Sequence, residues 1–302
     1  MDRDGYAWWY LDGLSGDGRY GVSVIGFIGS VFSPYYSWSG RKDPHNHACI
    51  NVALYGPKGR WAMTERGRGA VTQTSESFVV GPSAIHWDGE KLVVRVDERS
   101  NPDLRRVQGH ITLIPDALTD QEVLFHANHV WRPFAPSARV EVALDKPDLN
   151  WTGHGYMDAN FGTAALEADF RSWTWARFET RKGAAIFYDV EPRRGSPGGL
   201  ALSFDRAGQI KVMDAPPVAR LPRNLWAVKR ETRADAGYRP HRITPMLDAP
   251  FYSRTAIRTR IHGEVAEGVH EALDLDRFRN RFIQFMLAMR MPRALGVRRR
   301  FF

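Results

Sequence analysis

The residues whose types and spacing best suit chemistry lie at positions 151–169, in the run WTGHGYMDANFGTAALEAD. A histidine, a tyrosine and two aspartates stand there among glycines, with tryptophans at Trp151, Trp173 and Trp175. Glycine lets a backbone turn tightly or approach a ligand closely. The aromatics would wall an apolar pocket around Asp158. A carboxyl group in such surroundings keeps its proton more readily, because a low dielectric disfavours the charged form, and so can act as an acid near neutral pH. The competing reading makes Asp158 and Asn160 turn formers, bonding their own backbone in a loop between strands.

His129 with Trp131 forms a second aromatic and acid–base pair. His129 and Trp131 are two residues apart, as are Tyr156 and Asp158, so in strands each pair points to one face of its sheet. That pattern suits a proton donor held in an aromatic-walled pocket. Two histidine pairs, His45/His47 and His126/His129, could instead bind a metal, with the first pair expected on one strand face. Neither has a carboxylate or cysteine at the usual ligand spacing, so no metal is expected. No GxGxxG leads from a strand into a helix, and GxxxxGK[ST], GxSxG and HExxH are absent from the sequence, which leaves nucleotide-binding and common hydrolase readings without support.

These side chains need elements to hold them. The chain has 302 residues, 43% hydrophobic and 12% aromatic, with 10 tryptophans, which marks a globular protein with ample core. The single cysteine, Cys49, excludes an intrachain disulfide framework and a multi-cysteine zinc site. A net charge of +8 points to acidic partners or an anionic surface, but the arginines are scattered rather than striped, so no nucleic-acid partner is expected. The start, Met1-Asp-Arg-Asp, has no long apolar core, so it is not expected to be a secretory signal. The most apolar early run, 22–31, spans only about ten residues against the ~20 needed to cross a bilayer.

The element signals are mostly those of strands. Runs at 7–11 and 20–27, joined by Gly13, Gly16 and Gly18, read as a hairpin, and 33–46 as a long surface loop. Strands are expected at 49–55, 59–64, 77–80, 84–87, 91–97 and 110–114, with Asp88-Gly89 as a two-residue hairpin turn. The second half adds 139–144, 162–169, 172–179, 183–190, 199–204, 209–213, 254–265 and 269–273, with a turn at 205–208. Many short strands between turns favour barrels or sandwiches. The prediction is a mainly β protein of two β-barrel-like domains, 1–133 and 134–302. One helix is expected from Asp274, a plausible N-cap, to Met291, with Leu275, Phe278, Phe282, Phe285, Met286 and Met289 on its apolar face. That face either packs on its own barrel or lies on a membrane surface.

Three blocks carry a resemblance to a known family: YAWWYLDGLSGDGRYGVSVIGFIGSVFSPYY at 6–36, HVWRPF at 129–134 and GYMDANFG at 155–162. Over nearly the whole chain the sequence resembles the acyclic carotenoid 1,2-hydratases of phototrophic bacteria. The resemblance implies a fold of two lipocalin-like β-barrels and no metal or organic cofactor. It implies addition of water to the terminal 1,2 double bond of lycopene, neurosporene or a related acyclic carotene. It also implies that the essential aspartate is Asp158, supported by Tyr156, His129 and Trp131. The substrate is a bilayer hydrocarbon, so the implied setting is cytoplasmic, peripheral to the inner or photosynthetic membrane. The implied partners are an anionic lipid surface, met by the helix and the tail 298–302, and other enzymes of carotenoid biosynthesis. Two rivals stand beside this reading: a non-catalytic terpenoid or lipid carrier, and a related cyclising enzyme of the pericyclase type.

Overall fold

The structure, a computed structural model, describes residues 1–294. It is mainly β, as expected, and its contacts form two compact units. One comprises Met1–Ala165 with the described residues from Gln284 to Ala294; the other is Leu166–Ile283.

The first unit is built on a large antiparallel sheet. Its central strands are β1 (Tyr6–Ser15), β2 (Gly21–Ile28), β3 (Ala48–Tyr55), β4 (Leu92–Arg99), β5 (Arg106–Pro115), β6 (His129–Lys146) and β7 (Leu149–Gly162). They lie in the order β3-β2-β1-β7-β6-β5-β4. The expected domain division at 133/134 therefore falls inside β6, while the units part at Ala165. Two-residue alternation sorts the side chains between the faces. Leu11, Val22, Val24, Ile50, Val52, Leu54, Val140 and Val142 close one aliphatic core. The other face of β1 carries Tyr6, Trp8, Tyr10 and Asp12, which are buried as well. A strand buried on both faces reads as a continuous apolar run rather than an alternating one, which is why YAWWYL looks so uniformly aromatic.

The run 151–169 is chiefly strand. Asp158 and Asn160 sit within β7 and are buried, so the turn-former reading does not hold. The glycines serve close approach: a Cβ on Gly153 would stand 1.9 Å from the Leu14 carbonyl oxygen on β1. The strand expected at 162–169 ends at Gly162, and a single helical turn, Leu166–Asp169, follows. The expected loop at 33–46 contains a short helix, α1 (Pro34–Trp38), whose N-cap Ser33 accepts the Tyr36 amide. His45 lies in a 3-10 turn and not on a strand face, and His47 Nδ1 meets Glu65 Oε1 at 2.9 Å. This separates the His45/His47 pair. A hairpin turn forms where it was predicted, but shifted by one residue: the Asp88 amide bonds the Lys91 carbonyl, so the central pair is Gly89 (φ 102°) and Glu90, and Asp88 Oδ1 accepts the amides of Glu90 and Lys91.

The second unit holds β8 (Phe170–Thr180), β9 (Gly183–Pro192), β10 (Gly198–Asp205), β11 (Tyr252–Ile261) and β12 (Glu264–Asp274) in the order β10-β9-β8-β12-β11. Its core gathers Ala176, Phe178, Phe187, Ile257 and Ala266. The expected strand at 254–265 is divided by a tight turn at His262-Gly263, whose amides both bond the Asp235 carboxylate at 2.7 Å.

The predicted helix forms in two pieces, α2 (Leu275–Phe278) and α3 (Arg281–Arg290). Asp274 caps the first, accepting the Arg277 amide at 2.9 Å. The break has a local cause: Asn280 accepts the Phe282 amide at 2.9 Å and starts a new helix, since an asparagine at an N-cap satisfies amides that no preceding turn can reach. The basic tail at 298–302 lies outside the described residues.

Candidate active site

Three strands bring the predicted acid–base residues together. β7 runs antiparallel to β6 on one side and to β1 on the other, with Trp131 opposite Asn160, His129 opposite Gly162 and Tyr10 opposite Asp158. Paired residues share a face, so His129, Trp131, Tyr156 and Asp158 all project from one side of the sheet. All four are buried: Trp131 and Tyr156 fully, His129 and Asp158 to 4% exposure.

The polar contacts converge on one carboxyl oxygen. The Trp131 indole donates from Nε1 to Asp158 Oδ2 at 2.8 Å, and the Tyr156 hydroxyl donates to the same oxygen at 2.7 Å. Burial first, and then the neighbouring Asp158 charge and hydrogen bond, push the Tyr156 hydroxyl well above its ordinary pKa. Tyr156 therefore stays a donor. His129 is held from another direction, its Nδ1 at 2.8 Å from the Tyr6 hydroxyl and its ring stacked with Tyr6 at 5.8 Å between centroids. Tyr6 in turn stacks on Trp8 at 5.0 Å, and Phe125 packs against Trp131 at 5.8 Å. Were this carboxyl protonated, its proton would sit on Oδ1, and the two donors on Oδ2 would stabilise the carboxylate left on its departure.

Strand β1 adds residues that the sequence reading did not single out. Tyr6, Tyr10 and Asp12 stand on the same face, and the Tyr10 hydroxyl donates to Asp12 Oδ2. The signal was present: Tyr10-Leu11-Asp12 repeats the pattern of Tyr156-Met157-Asp158.

Gly162 fixes how closely Tyr6 can approach. A Cβ there would meet the Tyr6 ring at 2.2 Å. Overpacking of this kind costs about 1–3 kcal/mol. Gly162→Ala is therefore expected to lower the melting temperature by roughly 2–10 °C at the usual conversion for a chain of this size. It should also lower activity by displacing the partner of His129. Thermal unfolding checks the first effect; an unchanged melting temperature would refute the tight contact.

The family model for the carotenoid hydratase CrtC matches residues 24–300. The chain belongs to the carotenoid hydratase family. It is 54% identical over 276 residues to the acyclic carotenoid 1,2-hydratase of Cereibacter sphaeroides, covering 90% of this chain and 99% of that protein. It is 50% identical over 277 residues to the acyclic carotenoid 1,2-hydratase of Rhodobacter capsulatus, covering 90% and 98%. Among solved structures, kievitone hydratase from Nectria haematococca aligns over 89% of this chain and 90% of its own, with a TM-score of 0.56 and 14% identity. That last likeness is one of fold alone. Membership in the carotenoid hydratase family makes the chain a hydro-lyase, as the sequence reading expected.

Proposed function

We propose that the chain adds water across the terminal C1–C2 double bond of an acyclic carotene such as lycopene or neurosporene, with Asp158 as the proton donor. Asp158 protonates C2 of the trisubstituted alkene, leaving a tertiary cation at C1 that water captures to give a tertiary alcohol. Trp131 and Tyr156 offer π faces to the cation, an interaction worth about 2 kcal/mol when desolvated. His129 orients this side of the pocket and takes part in returning a proton to Asp158. The observation that carries the reading is the convergence of the Trp131 and Tyr156 donors on one oxygen of a buried carboxyl, in a chain of this family. The test is incubation with lycopene in detergent or liposomes under chelator, with products read by mass for the gain of one water. Binding of lycopene without any such product would favour a carrier instead, and loss of activity under chelator would implicate a metal.

The substrate lives in a bilayer, and the same proposal places the enzyme peripherally on that membrane. Among the described residues no helix is long and apolar enough to cross it. On α3, Phe282, Phe285 and Met289 are 67%, 58% and 66% exposed, and they recur at helical spacing as a single outward stripe. Arg281 and Arg290 are exposed on the same helix. Apolar side chains flanked by arginine suit the interface of an anionic bilayer. The inward side is tied down: Trp38 donates from Nε1 to Gln284 Oε1 at 3.0 Å, and Gln284 is buried. The parent should float with anionic liposomes at low salt. Replacing Phe282, Phe285 and Met289 by serine should weaken association more than tenfold, since each large apolar side chain contributes about 1.5–3 kcal/mol when buried. Flotation that is equal for parent and variant would remove α3 from the docking surface.

A further inference from the structure

Hydration leaves one proton unaccounted for. Asp158 gives a proton to C2, but the water that bonds C1 must then lose one of its own. On the active-site face, β1 supplies a second carboxyl group, Asp12, which is fully buried. The register sets Asp12 opposite Tyr156 and Tyr10 opposite Asp158. Two Tyr-x-Asp triplets thus lie crosswise on adjacent antiparallel strands. Each tyrosine hydroxyl donates to Oδ2 of the aspartate two residues on, and the two tyrosine rings meet at 6.0 Å between centroids. Asp12 is also among the groups whose charge holds the Tyr156 hydroxyl protonated, after burial and Asp158.

We propose that Asp12 is the base that takes the proton released when water captures the cation. The inference rests on the reading of Asp158 as the acid. The alkene π pair forms the C2–H bond with the Asp158 proton, and Asp158 is left as a carboxylate. A water lone pair then forms the C1–O bond. The electron pair of one O–H bond stays on oxygen while its proton goes to Asp12. That proton is returned to Asp158 before the next turnover, so each cycle consumes one alkene and one water with no net change in the enzyme. Tyr10 is the positioning residue for Asp12, donating to it as Tyr156 donates to Asp158.

Deuterium separates protonation from capture. In D₂O, Asp158 delivers deuterium to C2; if water is not captured, rotation about C1–C2 in the cation turns the original hydrogen toward the Asp158 carboxylate, which removes it, and the recovered carotene keeps the label. Lycopene would be incubated with the parent, Asp12→Asn and Asp158→Asn, and both product and recovered carotene read by mass. For Asp12→Asn, hydration should fall about a hundredfold, the lower end of what a positioned acid or base supplies, while deuterium uptake into recovered carotene stays at or above the parental rate. Near-parental hydration would overturn the proposal. So would equal loss of hydration and label uptake in a folded variant, which is the signature of a purely structural role. If Asp12→Asn does not fold, Tyr10→Phe must show the same split in a milder form, and a parallel loss of both signals overturns the proposal there too. Label uptake that survives in Asp158→Asn would refute the acid assignment itself, and the role of Asp12 with it.

Discussion

Asp158→Asn is expected to fold normally and to form no detectable hydrated product. The amide is nearly isosteric with the carboxyl. With its oxygen at the Oδ2 position it still accepts from Trp131 and Tyr156, whose donors stand at 2.8 and 2.7 Å. What it lacks is an acidic proton. General acid catalysis by a positioned group contributes about 10²–10⁴-fold, so a loss of at least that size follows if Asp158 is the donor. The assay is lycopene turnover by mass, with near-ultraviolet circular dichroism as the check on fold. A folded Asn variant that retains a tenth or more of parental activity, well above the residue expected from a ~10²-fold loss, would dismiss Asp158 as the acid.

The second large effect concerns the two donors. If Asp158 is the acid, burial on its own would hold its proton and make it reluctant toward an alkene. The Trp131 and Tyr156 hydrogen bonds offset this, because they strengthen as Oδ2 gains charge and so stabilise the carboxylate after transfer. Trp131→Phe and Tyr156→Phe each keep an aromatic face toward the cation and remove one donor. A hydrogen bond to a charged group contributes about 1.5–3 kcal/mol, so each variant should lose roughly ten- to a hundredfold in kcat. The double variant should lose less than the product of the two, because both donors serve one oxygen and act as a unit. Equal and near-parental rates in the two single variants would mean that the bonds serve stability and not the reaction. Substitution of either residue by leucine, which also removes the π face, then measures the remaining cation–π part.

Much of this site was legible in short stretches of sequence. Tyr156 and Asp158 share a face because a strand repeats every two residues, and the same rule pairs His129 with Trp131. Where reading failed, local chemistry usually explains it. Asp158 and Asn160 could have been turn formers in a loop, but they lie within a strand, and Gly153 and Gly162 are small because a neighbouring strand or the Tyr6 ring occupies the space a Cβ would fill. The helix expected from Asp274 to Met291 was periodic enough to look continuous, and the short polar side chain of Asn280 interrupts it.

The sequence by itself determined the strand character of the chain, the presence of a turn near Asp88-Gly89, the cap at Asp274 and the side-chain order within each strand. These depend on alternation and on hydrogen bonds over a few residues. Only the tertiary structure decided that β1 lies beside β7, which puts Tyr10 opposite Asp158 and brings the Tyr6 hydroxyl to His129, 123 residues away. No local periodicity encodes that register. A slip of one residue would turn every side chain of β1 to the other face, and what prevents it is the aliphatic core formed jointly by Leu11, Val22, Val24, Val140 and Val142, drawn from strands far apart in the chain.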